Sequence, residues 1–409
     1  MMWKDLPTPC YVVDEGKIRK NLEILADLEQ ECGCHILLAQ KAFSMYSLYP
    51  MIGQYISGTT ASGLYEARLG YEEMGKENHV FAPAYKEKDM EELVQICDHI
   101  IFNSFAQYEK YKEMCRESAK VRKDKKAVSV GIRINPQCST QEGHEIYDPC
   151  GYASRLGVTE EQFREDLLEG VEGLHFHTLC EQDSDALETT LRAFDERFGG
   201  FMKGMKWLNF GGGHHITREG YDVPRLERCI RAAQSEYGCE VYLEPGEAVV
   251  LNAGTLVAEV LDVVHNGIDV AVLDASAACH MPDVLEMPYR PPVCGLFRKT
   301  DNGLSAKDLC EYAGDGYEKV SDAGAPEERA HVCRLAGATC LAGDVIGDWS
   351  FDEKPQPGDC IVFGDMALYT MVKTNTFNGT PLPGIYLRRA DGSVRTLRTF
   401  GYADFESRL

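Results

Sequence analysis

Eight short apolar runs recur between His35 and Glu247, and they limit the folds open to this chain: HILLAQK, YISGTTASG, HVFAPAY, HIIFNS, VSVGIRINP, GLHFHTL, WLNFGGG and VYLEPGE. Near-continuous apolar runs of this length fit parallel strands buried on both faces. Stretches of helix-like composition separate them. One precedes the first, DEGKIRKNLEILADLEQE at 14–31, with Ile18, Leu22, Leu25 and Leu28 at helical spacing. Strands alternating with helices eight times over predict a closed, TIM-like (β/α)8 barrel, whose chemistry gathers at the C-terminal strand ends. Lys41, His177, Gly211, Gly212, Gly213 and Glu244 all fall at such ends.

Near Leu251 the pattern changes. TLVAEVLDVV alternates apolar and polar residues, as a half-exposed antiparallel strand does. DVAVLDAS, CIVFGDMA and IYLRRADGSVRTLRTFGY continue in that style, the last with an Asp391-Gly392 hairpin turn. The expected organisation is a barrel over residues 1–250 and a β-rich domain over 251–409. The first strand, TPCYVV, is free to join either. The acidic stretch DAGAPEER at 322–329 reads as a solvated loop.

With 409 residues the chain can bury a large core. Its net charge of −23, from 42 basic and 65 acidic residues, argues against nucleic acid, whose phosphates call for basic patches. A small cationic substrate is compatible with it. The start, MMWKDLPTPCYVVDE, shows no basic segment leading into an apolar one, and no run reaches the roughly 18 apolar residues of a membrane span. A cytoplasmic protein with no membrane partner is expected. Sixteen cysteines are scattered without a compact framework, so reduced thiols are expected. Cys32-Gly-Cys34-His35 lacks the second half of a metal site, and no metal is expected.

A lysine at a strand end is usually a solvated charge. Lys41, however, lies between LLAQ and AFSMY, where an ammonium is costly. Desolvation lowers a lysine's pKa and leaves an amine able to condense with an aldehyde. Pyridoxal phosphate needs such a lysine, a carboxylate for its pyridine nitrogen and backbone amides for its phosphate. Gly211-Gly212-Gly213 can bring bare N–H groups against an anion, although most such runs are plain flexible loops. Glu244 ends an apolar strand, where an unpaired carboxylate is unfavourable and a pyridinium would compensate it. His177 shares a face with His175 and Leu179; a core histidine is the plain reading, stacking on a cofactor ring the sharper one. Arg133, in GIRINP, is left without an assigned role.

The barrel residues, with GATC at 337–340 and DMALYT…TFNG at 365–379, closely resemble the fold-type III pyridoxal-phosphate decarboxylases, built like alanine racemase and ornithine decarboxylase. The resemblance spans essentially the whole chain. Within that group, LEPGEA, CHMPDVLEMPYRP and GATCLAGDVIGDW look most like the carboxynorspermidine decarboxylases, which also act on carboxyspermidine. The resemblance implies pyridoxal 5'-phosphate carried by Lys41, with His177 on its ring, Gly211 to Gly213 and Tyr369 on its phosphate and Glu244 on its ring nitrogen. It implies a homodimer with shared active sites, in which Cys340 reaches the partner's site and reprotonates the product carbon. The position after EPG, often arginine in the group, is Glu247, which would repel a distal carboxylate and attract an amine. Leu341 follows the cysteine where ornithine-type enzymes carry aspartate, which disfavours short diamine-forming substrates. A longer carboxytriamine is implied, with Asp283 and Glu286 as candidates beside Glu247 for its amines. The rival readings are another decarboxylase of the group, of diaminopimelate or ornithine/arginine type, a racemase, and a non-catalytic pyridoxal-phosphate carrier. A metal-dependent barrel hydrolase is disfavoured, since His214-His215 are adjacent and no HxH ends the first strand.

Overall fold

The computed structural model of the chain describes residues 6–141, 145–299 and 317–409. The chain divides into two compact units, residues 20–249 and residues 1–19 with 250–409. After β1 (Cys10–Asp14), all eight apolar runs form strands: β2 (His35–Ala39), β3 (Gly58–Ala61), β4 (Glu77–Phe81), β5 (His99–Phe102), β6 (Ser129–Arg133), β7 (Gly173–His175), β8 (Trp207–Asn209) and β9 (Glu240–Leu243). Each pairs in parallel with its neighbours, and β9 returns to β2, closing the expected barrel. The strands are short, three to five residues each, and buried along nearly their whole length.

Side chains from several strands meet inside the barrel. Leu37, Ile101, Trp207 and Tyr242 pack together there with Phe81. Trp207 fits because β6 and β7 present glycines beside it: a Cβ on Gly131 or Gly173 would lie 2.2 or 2.1 Å from the indole. Neither glycine has a positive φ, so close approach alone excludes a side chain. The indole N–H is satisfied by Ser129 Oγ at 2.9 Å. On the helix side, Phe176 stacks on Phe210 and meets Phe194, which binds β7 and β8 to the helix Ser184–Phe198.

The second unit is an eleven-stranded sheet. Its members after β9 are β10 (Gly254–Asn266), β11 (Ile268–Leu273), β12 (Val293–Lys299), β13 (Tyr317–Ser321), β14 (Ala323–Gly324), β15 (His331–Gly337), β16 (Val345–Phe351), β17 (Cys360–Gly364), β18 (Gly384–Arg388) and β19 (Val394–Arg398). The order β13-β12-β17-β10-β11-β15-β16-β14 carries β1 on β10, with β18 and β19 beyond. β1 runs antiparallel to β10 and parallel to β18, so the first strand is part of this sheet. Its core gathers Tyr11, Leu256, Val260, Leu335, Trp349 and Phe363. The stretch 322–329 includes β14, a two-residue edge strand on β16. The cysteines among the described residues are free thiols. No helix among those residues is long and apolar enough to cross a membrane.

The glycine pair around Trp207 yields a packing test. Gly173→Ala overfills the barrel and is expected to cost about 1–3 kcal/mol, seen as a melting temperature several degrees lower. An unchanged melting temperature would show that the indole has room to move.

Candidate active site

Lys41 stands two residues past β2, in a turn tied down on both sides. Gln40 N donates to Thr60 O at 3.1 Å and Ala39 N to Pro245 O at 3.1 Å. The glycine of the Glu244-Pro245-Gly246 corner is required by this packing. A Cβ on Gly246 would lie 2.6 Å from that of Ala42 and 3.2 Å from Ala39 O. The β9 end thereby seats against the lysine's turn. The Lys41 side chain is open to solvent by area. Even so, desolvation, reinforced by the Arg133 cation, lowers its pKa, against the opposing pull of Glu244 and Glu247.

Glu244 follows β9 directly and is 6% exposed. Asn209 Nδ2 donates to its Oε1 at 2.9 Å, and His175 Nε2 lies 3.3 Å from its Oε2. Burial favours the neutral acid, yet the charge and hydrogen bond of His175, then the His79 charge and the Asn209 hydrogen bond, pull the carboxyl down to about 2. His175 itself is kept towards the neutral form by desolvation. Glu244 is therefore an ionised carboxylate, held by His175 and by the Asn209 hydrogen bond. Asn209 also accepts Gly211 N–H at 2.8 Å through its other side-chain atom, linking Glu244 to the glycine loop.

The glycine loop is more committed than its sequence implies. Gly212 N–H donates to His177 Nδ1 at 2.9 Å, so two of the three amides are already engaged. Gly211 and Gly213 have φ of 68° and 84°. A Cβ on Gly211, Gly212 or Gly213 would lie 2.4, 2.4 or 2.0 Å from the carbonyl oxygens of Phe176, Glu244 and Leu179. The loop is thus a rigid floor rather than a flexible link. β7 ends at His175, and His177 lies beyond the strand. With Nδ1 accepting a backbone N–H, its proton sits on Nε2, and burial followed by the Lys41 and Arg133 charges pushes its pKa well below 6.5. Arg133 lies over the Phe81 ring, 4.5 Å from its centroid, and donates to His177 O at 3.2 Å. Burial lowers its pKa to about 10. It positions the histidine turn.

Glu247 opens the short helix Glu247–Val250 and is 9% exposed. His215 Nε2 lies 2.7 Å from its Oε2.

The second unit carries the remaining candidates. Asp344 anchors the β15–β16 loop by accepting Ser276 Oγ at 2.9 Å and Thr339 Oγ1 at 2.6 Å. That leaves Cys340 exposed at the tip, where its N–H donates to Asn378 Oδ1 at 2.8 Å. GATC and TFNG are thus one local structure. Tyr369 has a left-handed φ of 48°, and the Lys373 ammonium lies 5.5 Å from its ring centroid. Lys373 also ion-pairs with Asp283 and, at 3.2 Å, with Glu286, so both of these carboxylates already face a cation.

These residues fit pyridoxal phosphate: an amine of lowered pKa, an ionised buried carboxylate and a floor that any Cβ would fill. Sequence reasoning brought Lys41, His177, the glycines and Glu244 to one barrel mouth. It did not find Asn209, His215 or Lys373, whose roles depend on contacts between distant positions. One further group among the described residues has metal-ligand chemistry: Glu77, His79 and His99, low in the barrel. The two imidazoles are stacked 3.9 Å apart at 19°, so their nitrogens run side by side instead of converging. His79 Nε2 lies 2.8 Å from Glu77 Oε1, and Nδ1 of each imidazole is buried without a hydrogen-bond partner among the described residues.

Comparison with known proteins agrees with this geometry. Residues 10–367 match the family model described as pyridoxal-dependent decarboxylase, C-terminal sheet domain. The carboxynorspermidine/carboxyspermidine decarboxylase of Campylobacter jejuni is 42% identical over 100% of both chains. The carboxyaminopropylagmatine decarboxylase of Synechocystis is 38% identical over 99% of this chain and 96% of that one. A crystal structure of carboxynorspermidine decarboxylase from Campylobacter jejuni, complexed with norspermidine, superposes with a TM-score of 0.83 at 40% identity, covering 99% and 100% of the two chains.

Two buried histidines give the molecule a pH signature. Burial lowers His214 and His280 to about 4. The unfolded chain takes up their protons below about 6.5, which the folded chain refuses until about 4. Stability is therefore full above pH 6.5 and falls as the pH drops towards 4. His280 accepts Ser276 N–H and faces Pro381 O. His280→Gln keeps an acceptor and a donor without a titrating ring. It should flatten the fall of melting temperature over that window, and a slope identical to wild type would contradict the assignment.

Proposed function

The chain belongs to the pyridoxal-dependent decarboxylase family, and from that premise we propose that it decarboxylates carboxynorspermidine to norspermidine, or carboxyspermidine to spermidine, in polyamine biosynthesis. The observation that carries this reading is Glu247, a buried carboxylate immediately after Pro245-Gly246. A negative charge there favours an amine beyond the reacting carbon and disfavours the distal carboxylate of diaminopimelate. The sequence relatives support it, because three of them at 34% identity or more are named for carboxylated polyamines.

The residues divide the work as follows. Lys41 holds the cofactor through its amine, which its surroundings keep able to act as a nucleophile. Glu244, its direction fixed by His175 and Asn209, would hold the pyridine nitrogen as an ionised carboxylate. Bound there, pyridoxal phosphate supplies a sink for the electron pair left when carbon dioxide departs. His177, neutral and tied to Gly212, offers a ring face for stacking. The glycine floor would hold the phosphate. Cys340 Sγ gives a proton to the α-carbon and recovers one from water. Glu247 meets a distal amine of the substrate. Cys340 acts in a partner subunit's site, which makes the working unit a homodimer. Dispersed cysteines without a disulfide framework support a reducing, cytoplasmic setting.

Two experiments test this. Borohydride reduction of the yellow holoenzyme should fix the cofactor to Lys41, and activity should rank carboxynorspermidine and carboxyspermidine above carboxyaminopropylagmatine, diaminopimelate, ornithine and arginine. Label on another lysine, or diaminopimelate as the preferred substrate, would overturn the reading. Lys41→Ala and Cys340→Ala proteins, each nearly inactive, should regain part of the activity when mixed through hybrid dimers. No recovery despite demonstrated subunit exchange would place both residues in one chain's site.

A further inference from the structure

His215 follows the glycine floor by two residues and is 7% exposed. Its Nε2 lies 2.7 Å from Glu247 Oε2. Two residues on, Thr217 Oγ1 donates to Ala248 O at 2.6 Å. The loop after the glycines is therefore sewn at two adjacent points to the residues that open the helix Glu247–Val250. Glutamate has three side-chain torsions, and an untethered carboxylate spreads over several rotamers. A tether on one oxygen removes that freedom and leaves the second oxygen aimed in one direction. The Glu247 charge also acts on the Lys41 amine, so the carboxylate belongs to the same barrel mouth as the lysine.

We propose that His215 is the positioning residue that makes Glu247 an amine receptor, and so determines specificity for substrates with an amine beyond the reacting carbon. This rests on the reading that Glu247 meets that amine. His215 touches neither the reacting carbon nor the cofactor in this scheme. It donates Nε2–H to Oε2, which satisfies half of a carboxylate that burial would otherwise penalise. The other oxygen stays free to accept an ammonium N–H in a charge-assisted hydrogen bond. The competing explanation is that the pair only staples the loop to the helix, which would affect stability and nothing else.

The holoenzyme variants His215→Leu, His215→Gln and Glu247→Gln separate these cases. His215→Leu is expected to raise KM for carboxynorspermidine about tenfold and weaken calorimetric binding of norspermidine by a similar factor, with the loss in KM rather than kcat. The glutamine amide of His215→Gln can donate to the same oxygen and should recover most of the affinity. In a Glu247→Gln background, His215→Leu should add little, since the residue it positions is already neutral. If His215→Leu does not fold, His215→Asn, polar but too short to reach Glu247, is judged by the same readouts. Wild-type KM and norspermidine affinity in a folded His215→Leu protein, with Glu247→Gln impaired, would overturn the positioning role alone. Wild-type values in Glu247→Gln would instead overturn the reading on which it rests.

Discussion

The buried carboxylate of Glu244 is the interaction on which the remaining site geometry hangs. A charge that deep in a barrel is unfavourable unless hydrogen-bonded, and two residues from neighbouring strands supply the bonds. His175 and Asn209 stand in register across β7 and β8, at the same level of the barrel. Asn209 accepts Gly211 N–H while donating to Glu244. The carboxylate proposed for the ring nitrogen and the loop proposed for the phosphate are thus set by one amide side chain. The distance between the two ends of the proposed cofactor site becomes a property of the barrel wall instead of two separate loops.

A second constraint is close approach. Gly246 lets the β9 corner touch the lysine's turn, and the three glycines after β8 lie against carbonyls of the β7 and β9 ends. These contacts convert strand ends into a rigid floor. His177 and Arg133 complete it: one binds a floor amide, the other holds the backbone of that histidine and rests on Phe81. The interior is less apolar than most barrels of this type, with His79, His99 and Glu77 among its lining. His79 and His99 stack on each other and His79 Nε2 bonds Glu77, while Nδ1 of each imidazole has no hydrogen-bond partner among the described residues.

The barrel was legible because strands buried on both faces are written as continuous apolar runs, and each of the eight became a strand. Lys41 could be read because its apolar flanks make an ammonium costly, and Glu244 because an unpaired carboxylate ending an apolar strand is unfavourable. The glycine amides could not. GGG announces freedom, yet Asn209 and His177 occupy two of its N–H groups, and neither partner is adjacent in sequence. The same holds for Lys373, which lies 90 and 87 residues from Asp283 and Glu286. Local pattern shows which residues are costly to bury. It does not show which distant residue compensates them. Cys340 was recognisable only by its resemblance to a known motif; alone it is one thiol of sixteen.

The central claim is that Glu244 is an ionised carboxylate that keeps the cofactor's ring nitrogen protonated. Nitrogen NMR of holoenzyme reconstituted with ring-labelled pyridoxal phosphate reads that proton directly. The account predicts a protonated pyridine nitrogen in the wild type at neutral pH and its loss in Glu244→Gln, with the cofactor still bound. An unprotonated nitrogen in the wild type, or one unchanged by the substitution, would contradict it.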